Sequence, residues 1–178
     1  MKFLLHGLRD MEVNNMLIIG KSGIPMLKKG YPTVSDKYNV AGATLAGNTP
    51  IEFGQLVKYS DANPGYYEAI TAQVTVDKIA GFVLATNVKL QEWNSEKVYT
   101  YPSEAFNLLV NGFMAIEVKS DATLANIKAN AKVYVDLTNG TLTTSDKTSA
   151  TIVELPNVVY TGVYEKHGDT ILAEILVK

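Results

Sequence analysis

Short runs in which apolar and polar residues alternate fill the chain from residue 52 to its end. The runs are rich in β-branched and aromatic residues, and Gly, Pro, Asn and Asp separate them, which is the pattern of β-strands joined by turns. Eight runs stand out: 55–59, 66–71, 79–84, 105–118, 132–136, 139–143, 158–164 and 171–177. Together they predict a mainly β fold, either a small β-barrel or a β-sandwich of about eight strands.

Three glycines lie inside these runs, and we expect them to mark irregular positions in the strands. They are Gly81, Gly112 and Gly162, and a missing side chain at such a position permits a bulge or a bend. Asn139-Gly140 stands between two runs and predicts a tight hairpin turn. A helix over 105–118 would contradict the β interpretation.

The runs also form a faint internal repeat. The first four runs match the last four in order and character, as Leu56-Val-Lys-Tyr59 matches Val133-Tyr-Val-Asp136 and Ile79-Ala-Gly-Phe-Val83 matches Tyr160-Thr-Gly-Val-Tyr164. Two similar four-strand halves would close a small barrel or pack as a sandwich. Because any β protein supplies alternating Val and Tyr, a chance match stays open beside a duplication.

The first 50 residues differ from the rest of the chain. Residues 20–50 hold eight Gly and Pro residues, spaced too tightly for a long helix or strand between them. We therefore predict two parts, an extended N-terminal arm at 1–50 and a β-barrel or β-sandwich domain at 51–178. The arm has a net charge of +3 and the whole chain one of −2, so the β domain is acidic.

Apolar side chains recur along this arm, which distinguishes its composition from that of a disordered tail. We predict that they contact a partner: Met16, Leu17, Ile18, Ile19, Ile24, Met26, Leu27 and Tyr31. Burial of each contributes about 1.5 to 3 kcal/mol, so other protein surfaces should cover them. The positive charge favours an acidic surface, either that of the arm's own β domain, of a sister subunit or of another protein.

The sequence contains no recognisable reactive constellation. Cysteine is absent, and no metal-ligand spacing accompanies the two histidines, His6 and His167. His167 precedes Gly168-Asp169 and is most simply a residue at a hairpin tip. Gly20-Lys21-Ser22 resembles the end of a phosphate-binding loop, but Asn15 stands where that loop requires a Gly. We therefore predict no catalysis, no cofactor and no metal site.

Charge and hydropathy argue against two further classes of partner. Lys28-Lys29 is the largest basic cluster in a chain of net charge −2, which leaves no footprint for nucleic acid. No stretch approaches the ~18 apolar residues of a membrane helix. The polar residues His6, Arg9 and Asp10 interrupt the apolar start that a signal peptide would need. We expect a soluble, unprocessed chain that binds neither nucleic acid nor membrane.

The β domain resembles the head decoration, or structural cement, proteins of tailed bacteriophages. The resemblance rests on Gln55-Leu-Val-Lys-Tyr, Lys78-Ile-Ala-Gly-Phe-Val, Leu109-Val-Asn-Gly, Ala131-Lys-Val-Tyr-Val-Asp, Asn139-Gly-Thr-Leu-Thr, Tyr160-Thr-Gly-Val and Ala173-Glu-Ile-Leu-Val. It covers roughly residues 52–178 and leaves the arm outside the common core. Asn130 departs from the pattern, because a Gly is usual before the Val-Tyr-Val strand.

This resemblance implies a virion structural protein that binds the outer surface of an assembled capsid and cements neighbouring capsomers. It implies the major capsid protein as partner and a homo-oligomer, with a trimer favoured. It also implies a location on the capsid exterior after assembly in the host cytoplasm, and neither catalysis nor a cofactor.

Two other functions stay open from the residues themselves. A glycan-binding or other virion-associated β module, such as a head fibre or tail component, would account for the many Tyr residues and for the loops around Trp93. A hydrolase would require Glu92, Glu96 and Glu104 to converge in one cleft with perturbed pKa values.

Overall fold

The computed structural model describes residues 27–34, 38–85, 99–119, 123–144 and 149–178. Within them the chain forms eleven β-strands and two short 3-10 turns, Val76–Lys78 and Leu124–Asn126. The strands are β1 (Tyr38–Thr44), β2 (Ile51–Glu52), β3 (Leu56–Tyr59), β4 (Tyr67–Ala69), β5 (Ile79–Leu84), β6 (Tyr99–Thr100), β7 (Ala105–Val118), β8 (Lys132–Asp136), β9 (Thr141–Thr143), β10 (Ile152–His167) and β11 (Thr170–Val177). The predicted mainly β fold is confirmed.

The eight runs predicted from the sequence correspond to eight of these strands. They form one continuous hydrogen-bonded path in a nine-stranded sheet, in the order β11-β10-β8-β9-β7-β5-β3-β4. The ninth strand of the sheet, β1, pairs with β7, and β2 pairs with β6 in a separate two-stranded sheet.

Strand β1 lies in the Gly- and Pro-rich stretch that was expected to hold no long strand, and that expectation is wrong for Tyr38–Thr44. The strand pairs antiparallel with β7 from Tyr38 opposite Gly112 to Thr44 opposite Ala105. Its single glycine, Gly42, has a backbone outside the left-handed region, so it does not interrupt the strand. The division of the chain at residue 50 stays a prediction.

The strand pairing repeats along the chain, as the internal sequence match predicts. In the first half, β3 pairs with β4 and β5, and β5 pairs with β7. In the second half, β8 pairs with β9 and β10, and β10 pairs with β11. All six ladders are antiparallel, so both halves have the same strand order.

Strand β7 belongs to both halves. Its first part, 105–112, pairs with β1, and its second part, 112–118, pairs with β11. Each half then closes through one parallel bridge, between Leu45 and Tyr67 in the first half and between Val118 and Leu142 in the second. In the first half the next residue, Ala46, donates its N–H to the C=O of Tyr67 at 2.7 Å. In the second half Lys119 donates its N–H to the C=O of Leu142 at 2.9 Å. The repeat thus extends from four strands to five, with β7 ending one unit and beginning the next.

The glycines predicted at irregular strand positions lie there. Gly81 adjoins a register shift between β3 and β5, and Gly162 lies within one between β10 and β11. Gly112 lies where β7 changes partner, beside a register shift against β1. Asn139-Gly140 forms the turn between β8 and β9, where the N–H of Gly140 donates to the C=O of Asp136 at 2.8 Å.

The sheet formed by β3, β5 and β7 is buried on both faces because neighbouring residues contribute to different cores. On β5, Phe82 belongs to the large core that the second half encloses, whereas Val83 belongs to the core of the first half. On β7, Leu109 belongs to the large core and Leu108 to the core of the first half. Tyr160 lies in the large core fully buried, and burial raises the pKa of its hydroxyl.

Candidate functional site

Residues 27–34, the first part of the predicted arm that the structure describes, are here called the anchor segment. Its backbone bonds to β7 on the edge opposite β11: the N–H of Gly30 donates to the C=O of Ala115 at 2.8 Å, and the N–H of Ala115 donates to the C=O of Tyr31 at 3.1 Å. The N–H of Ala85, after β5, donates to the C=O of Gly30 at 2.7 Å. The anchor segment therefore occupies one edge of β7, between the residues that pair with β5 (107–109) and the residue that pairs with β9 (Val118).

A close crossing of two backbones fixes the anchor segment. Gly30 has φ +78° and Gly54 has φ +84°, a region that side chains with L chirality avoid. A Cβ on Gly30 would lie 2.5 Å from the Cβ of Phe53, and a Cβ on Gly54 would lie 2.9 Å from the Cγ of Lys29. Only glycine fits at either position without movement of the neighbouring backbone.

Charged residues tie the same segment to the β domain. The Nζ of Lys29 pairs with Oε2 of Glu52 and lies 2.8 Å from Oε2 of Glu117. The side chains of Lys29 and Glu52 are 24% and 14% exposed, so water screens this pair only in part. The ammonium of Lys28 lies 4.5 Å from the centre of the Tyr31 ring. Lys28 and Lys29, the lysines of the arm that the structure describes, thus both interact with side chains of their own chain.

The structure describes two of the eight arm residues predicted to contact a partner. Leu27 is 5% exposed and packs with Ala115 and Leu172, and Tyr31 is half-buried against the first-half core. Both are covered by their own chain, and their role toward a partner stays a prediction. The other six lie outside the described residues: Met16, Leu17, Ile18, Ile19, Ile24 and Met26.

The residues weighed for catalysis do not come together where the structure describes them. His167 ends β10 at a hairpin tip, as predicted, with its Nε2 3.1 Å from Oε2 of Glu165. The carboxylate of Glu104 accepts the N–H of Tyr101 at 2.9 Å. His6, Glu92, Trp93 and Glu96 lie outside the described residues. In the described ranges no group of three or more His, Asp and Glu could hold a metal ion, and no helix is long and apolar enough to cross a membrane.

A groove of about 450 Å³ lies between the two halves, beside the anchor segment. Its lining includes Lys29, Glu52 and Glu117, together with Lys119 and the Asn139 turn. Because Lys29 pairs with both glutamates, these groups largely compensate one another, which suits a structural contact between the halves.

Sequence reasoning missed a surface on β1, because the surrounding glycines and prolines concealed the strand. This β1 surface consists of Tyr38, Asn39, Val40 and Gly42, with Val110 of β7 beside them, and it carries no charge. The side chains of Tyr38, Val40 and Val110 are 37%, 43% and 52% exposed. Residues 38–44 read Tyr-Asn-Val-Ala-Gly-Ala-Thr, which does not alternate between apolar and polar residues, so the sequence held no period-2 signal for this strand.

A duplicated β unit, a bonded anchor segment and an uncharged edge define a structural β module. The family model of the phage structural cement proteins (E217 gp24/Pam3 gp6) matches residues 25–176. The chain belongs to this family, and a structural role in the phage capsid follows from that membership. The match begins within the arm rather than near residue 52, so the common core includes the anchor segment and β1.

A solved structure supports the fold assignment independently. A chain of the capsid of Myoviridae phage XM1 is similar to this one with a TM-score of 0.57 and 20% sequence identity, over 97% of this chain and 96% of that chain. No curated protein matches the chain. The one departure from the family pattern noted in the sequence also has a physical explanation: Asn130 has φ +63°, and Asn tolerates this glycine-like conformation better than most residues do.

Proposed function

We propose that this chain binds the outer surface of an assembled phage capsid and cements neighbouring capsomers, with the major capsid protein as its partner. The observation that carries the proposal is the structural cement family match over residues 25–176. The proposal includes no catalytic step and no cofactor, because a cement acts through the area that it covers. It places the protein on the capsid exterior, assembled in the host cytoplasm.

The geometry of the anchor segment supports a role of the preceding residues in attachment. Leu27 packs on β7 and β11 through Ala115 and Leu172, so the residues before it start from a fixed point on the sheet. These 26 residues reach at most about 90 Å when fully extended. A folded domain of this size has a radius of gyration of about 14 Å, so the extended arm reaches beyond its own β domain and can contact an adjacent capsomer.

Six apolar residues in this stretch are the proposed capsid contacts: Met16, Leu17, Ile18, Ile19, Ile24 and Met26. Complete burial of such side chains contributes about 1.5 to 3 kcal/mol each, although ordering of the chain offsets much of it. A homo-oligomer, with a trimer favoured, would multiply this contribution because several arms would bind together.

The test is decoration of purified capsids that lack the protein. The full chain and a variant without residues 1–26 are titrated onto capsids, and bound copies per particle are counted by quantitative gel analysis and electron microscopy. We expect the full chain to saturate the shell and the truncated chain to bind at least about tenfold more weakly, a loss of ~1.4 kcal/mol or more. The cut falls after residue 26 because removal of residues 1–50 would also remove β1 and the anchor segment.

A matched variant separates apolar contact from chain length. Replacement of Met16, Leu17, Ile18 and Ile19 with Ser keeps the full length and should weaken binding almost as much as truncation. Full-length chain that never binds capsids would refute the cement function. Undiminished binding by the truncated chain would refute only the role of the arm and would direct attention to the β domain.

A further inference from the structure

Strand β1 is an edge of the nine-stranded sheet. It pairs with β7, and no other strand of the described residues pairs with Tyr38–Thr44. Successive residues of a strand direct their N–H and C=O groups to opposite edges. Leu45 donates its N–H toward the β7 side at 3.0 Å, whereas Ala46 donates to β4 on the other side at 2.7 Å. Val40 and Gly42 lie an even number of residues before Ala46, so their backbone N–H and C=O groups point to the same side as those of Ala46, away from β7.

This open edge lacks the features that usually prevent edge pairing. Natural edge strands carry Lys, Pro or inward charges that discourage an added strand. Residues 38–44 read Tyr-Asn-Val-Ala-Gly-Ala-Thr and contain none of these. Two of the six exposed large hydrophobic side chains in the described residues, Tyr38 and Val40, belong to this strand.

Nothing in the described part of the chain explains the glycine at position 42. Every other described glycine has a positive φ, whereas Gly42 does not, and a Cβ at Gly42 would meet no atom within 4 Å. Glycine in a strand interior weakens the strand and often marks the close approach of another group. An approach from outside the chain accounts for a glycine at this position.

We propose that β1 pairs antiparallel with β1 of a second copy of this chain, about a twofold axis at Val40. In that register Val40 faces Val40 of the partner subunit, and Tyr38 lies over Gly42 of the partner subunit. Aromatic residues stabilise glycines across a strand pair by covering them, and a side chain at position 42 would occupy the space of the ring. The facing pairs within residues 38–42 are uncharged, so this part of the strand is complementary to itself.

This contact is isologous and closes after two copies. If the protein is a trimer, β1 pairing would link neighbouring trimers and would not join subunits within one. The inference concerns only the purified chain, so it stands or fails independently of capsid binding.

Cysteine cross-linking tests the twofold register directly, because the chain has no cysteine of its own. Val40→Cys should form a covalent dimer on mild oxidation or with a short bis-maleimide. Tyr66→Cys is the matched control, since the side chains of Tyr66 and Val40 are 44% and 43% exposed. We expect Val40→Cys to cross-link at least about tenfold faster, because a preformed pair holds the thiols together. Equal rates would overturn the proposal.

Charge on the edge tests the association without cross-linking. Gly42→Lys should fold normally, because the space around a Cβ there is open, and its circular dichroism spectrum verifies this. Light scattering after size-exclusion chromatography should show a dimer or a larger assembly for the unmodified protein, and a smaller mass for Gly42→Lys. Tyr66→Lys should leave the mass unchanged.

Three outcomes would overturn a second copy as the occupant. One is a wild-type monomer or lone trimer at all concentrations, and another is a mass that Gly42→Lys does not change. The third is a monomeric wild type whose capsid binding is lost in Gly42→Lys, because the edge would then receive a strand of the capsid protein.

Discussion

The two halves of the sheet share one strand order but reach stability by different means. The second half contains the longest strand, β10, with 16 residues, whereas its counterpart in the first half, β5, has only 6. The anchor segment bonds to the first half through Ala85, after β5, and crosses it closely where Gly30 approaches Gly54. The same topology can therefore be stable as long ladders or as short ladders completed by a distant segment. The completed half is also the one that presents the open β1 edge.

The largest expected effect comes from Gly30, where the first half depends on the backbone crossing with Gly54. Gly30→Ala should lower the free energy of unfolding by about 2 to 5 kcal/mol, because it combines a strained φ with a clash against backbone. Gly168→Ala in the second half is the control, since Gly168 has φ +59° but a Cβ there would meet no atom within 4 Å. Its cost should be about 1 to 2 kcal/mol.

Urea unfolding of both variants measures the difference. If the two glycine substitutions destabilise equally, the crossing adds nothing beyond local backbone strain, and the anchor segment is not integral to the first half.

Local pattern located the strands of both halves that carry their own alternation. Runs 79–84 and 132–136 coincide with β5 and β8, and run 158–164 marks only part of β10 (Ile152–His167), because alternation and turn residues are encoded within each run. The anchor segment was beyond such reasoning, since Gly30 bonds to Ala115 and no local pattern specifies a partner so distant in sequence. β1 was missed because its residues do not alternate between apolar and polar and lie in a stretch rich in Gly and Pro.

The candidate site shows the same limit. The apolar character of Leu27 and Tyr31 predicted contact with a partner, which stays a prediction, because the contacts that the structure describes for both lie within their own chain. The uncharged edge at Val40 became recognisable only once β1 was placed beside β7.

A medium effect is expected from the ion pairs that hold the anchor segment. Lys29→Met should cost about 1 to 2 kcal/mol, because it removes an ammonium that pairs with the largely buried Glu52 carboxylate. Lys132→Met in the second half is the control: Lys132 lies 2.7 Å from Glu154 in an exposed pair, and exposed pairs contribute little. Thermal unfolding at low and high salt should show a clear loss for Lys29→Met and no measurable one for Lys132→Met. Equal losses would mean that burial does not distinguish the two pairs.

The smallest expected effect separates two carboxylates by the origin of their pKa shifts. In the first half, hydrogen bonds from Ser60 at 2.6 Å and from Lys58 at 2.9 Å lower the pKa of Glu68. In the second half, the hydroxyl and N–H of Thr138, at 2.7 and 3.0 Å, lower the pKa of Asp136. One shift draws on a charged partner, whereas the other comes mainly from neutral donors.

Both carboxylates stabilise the folded protein in their charged form. Because each folded pKa lies below its unfolded value, each contribution is complete above that unfolded value and is lost as the pH falls through the folded pKa. Salt screens the attraction of Lys58 but leaves neutral hydrogen bonds largely unchanged. Carboxyl titration by NMR should therefore show the pKa of Glu68 rising toward its usual value in high salt while that of Asp136 stays low. Equal salt responses would show that Lys58 adds nothing beyond Ser60, and the charge-based stabilisation of the β3–β4 hairpin would have to be abandoned.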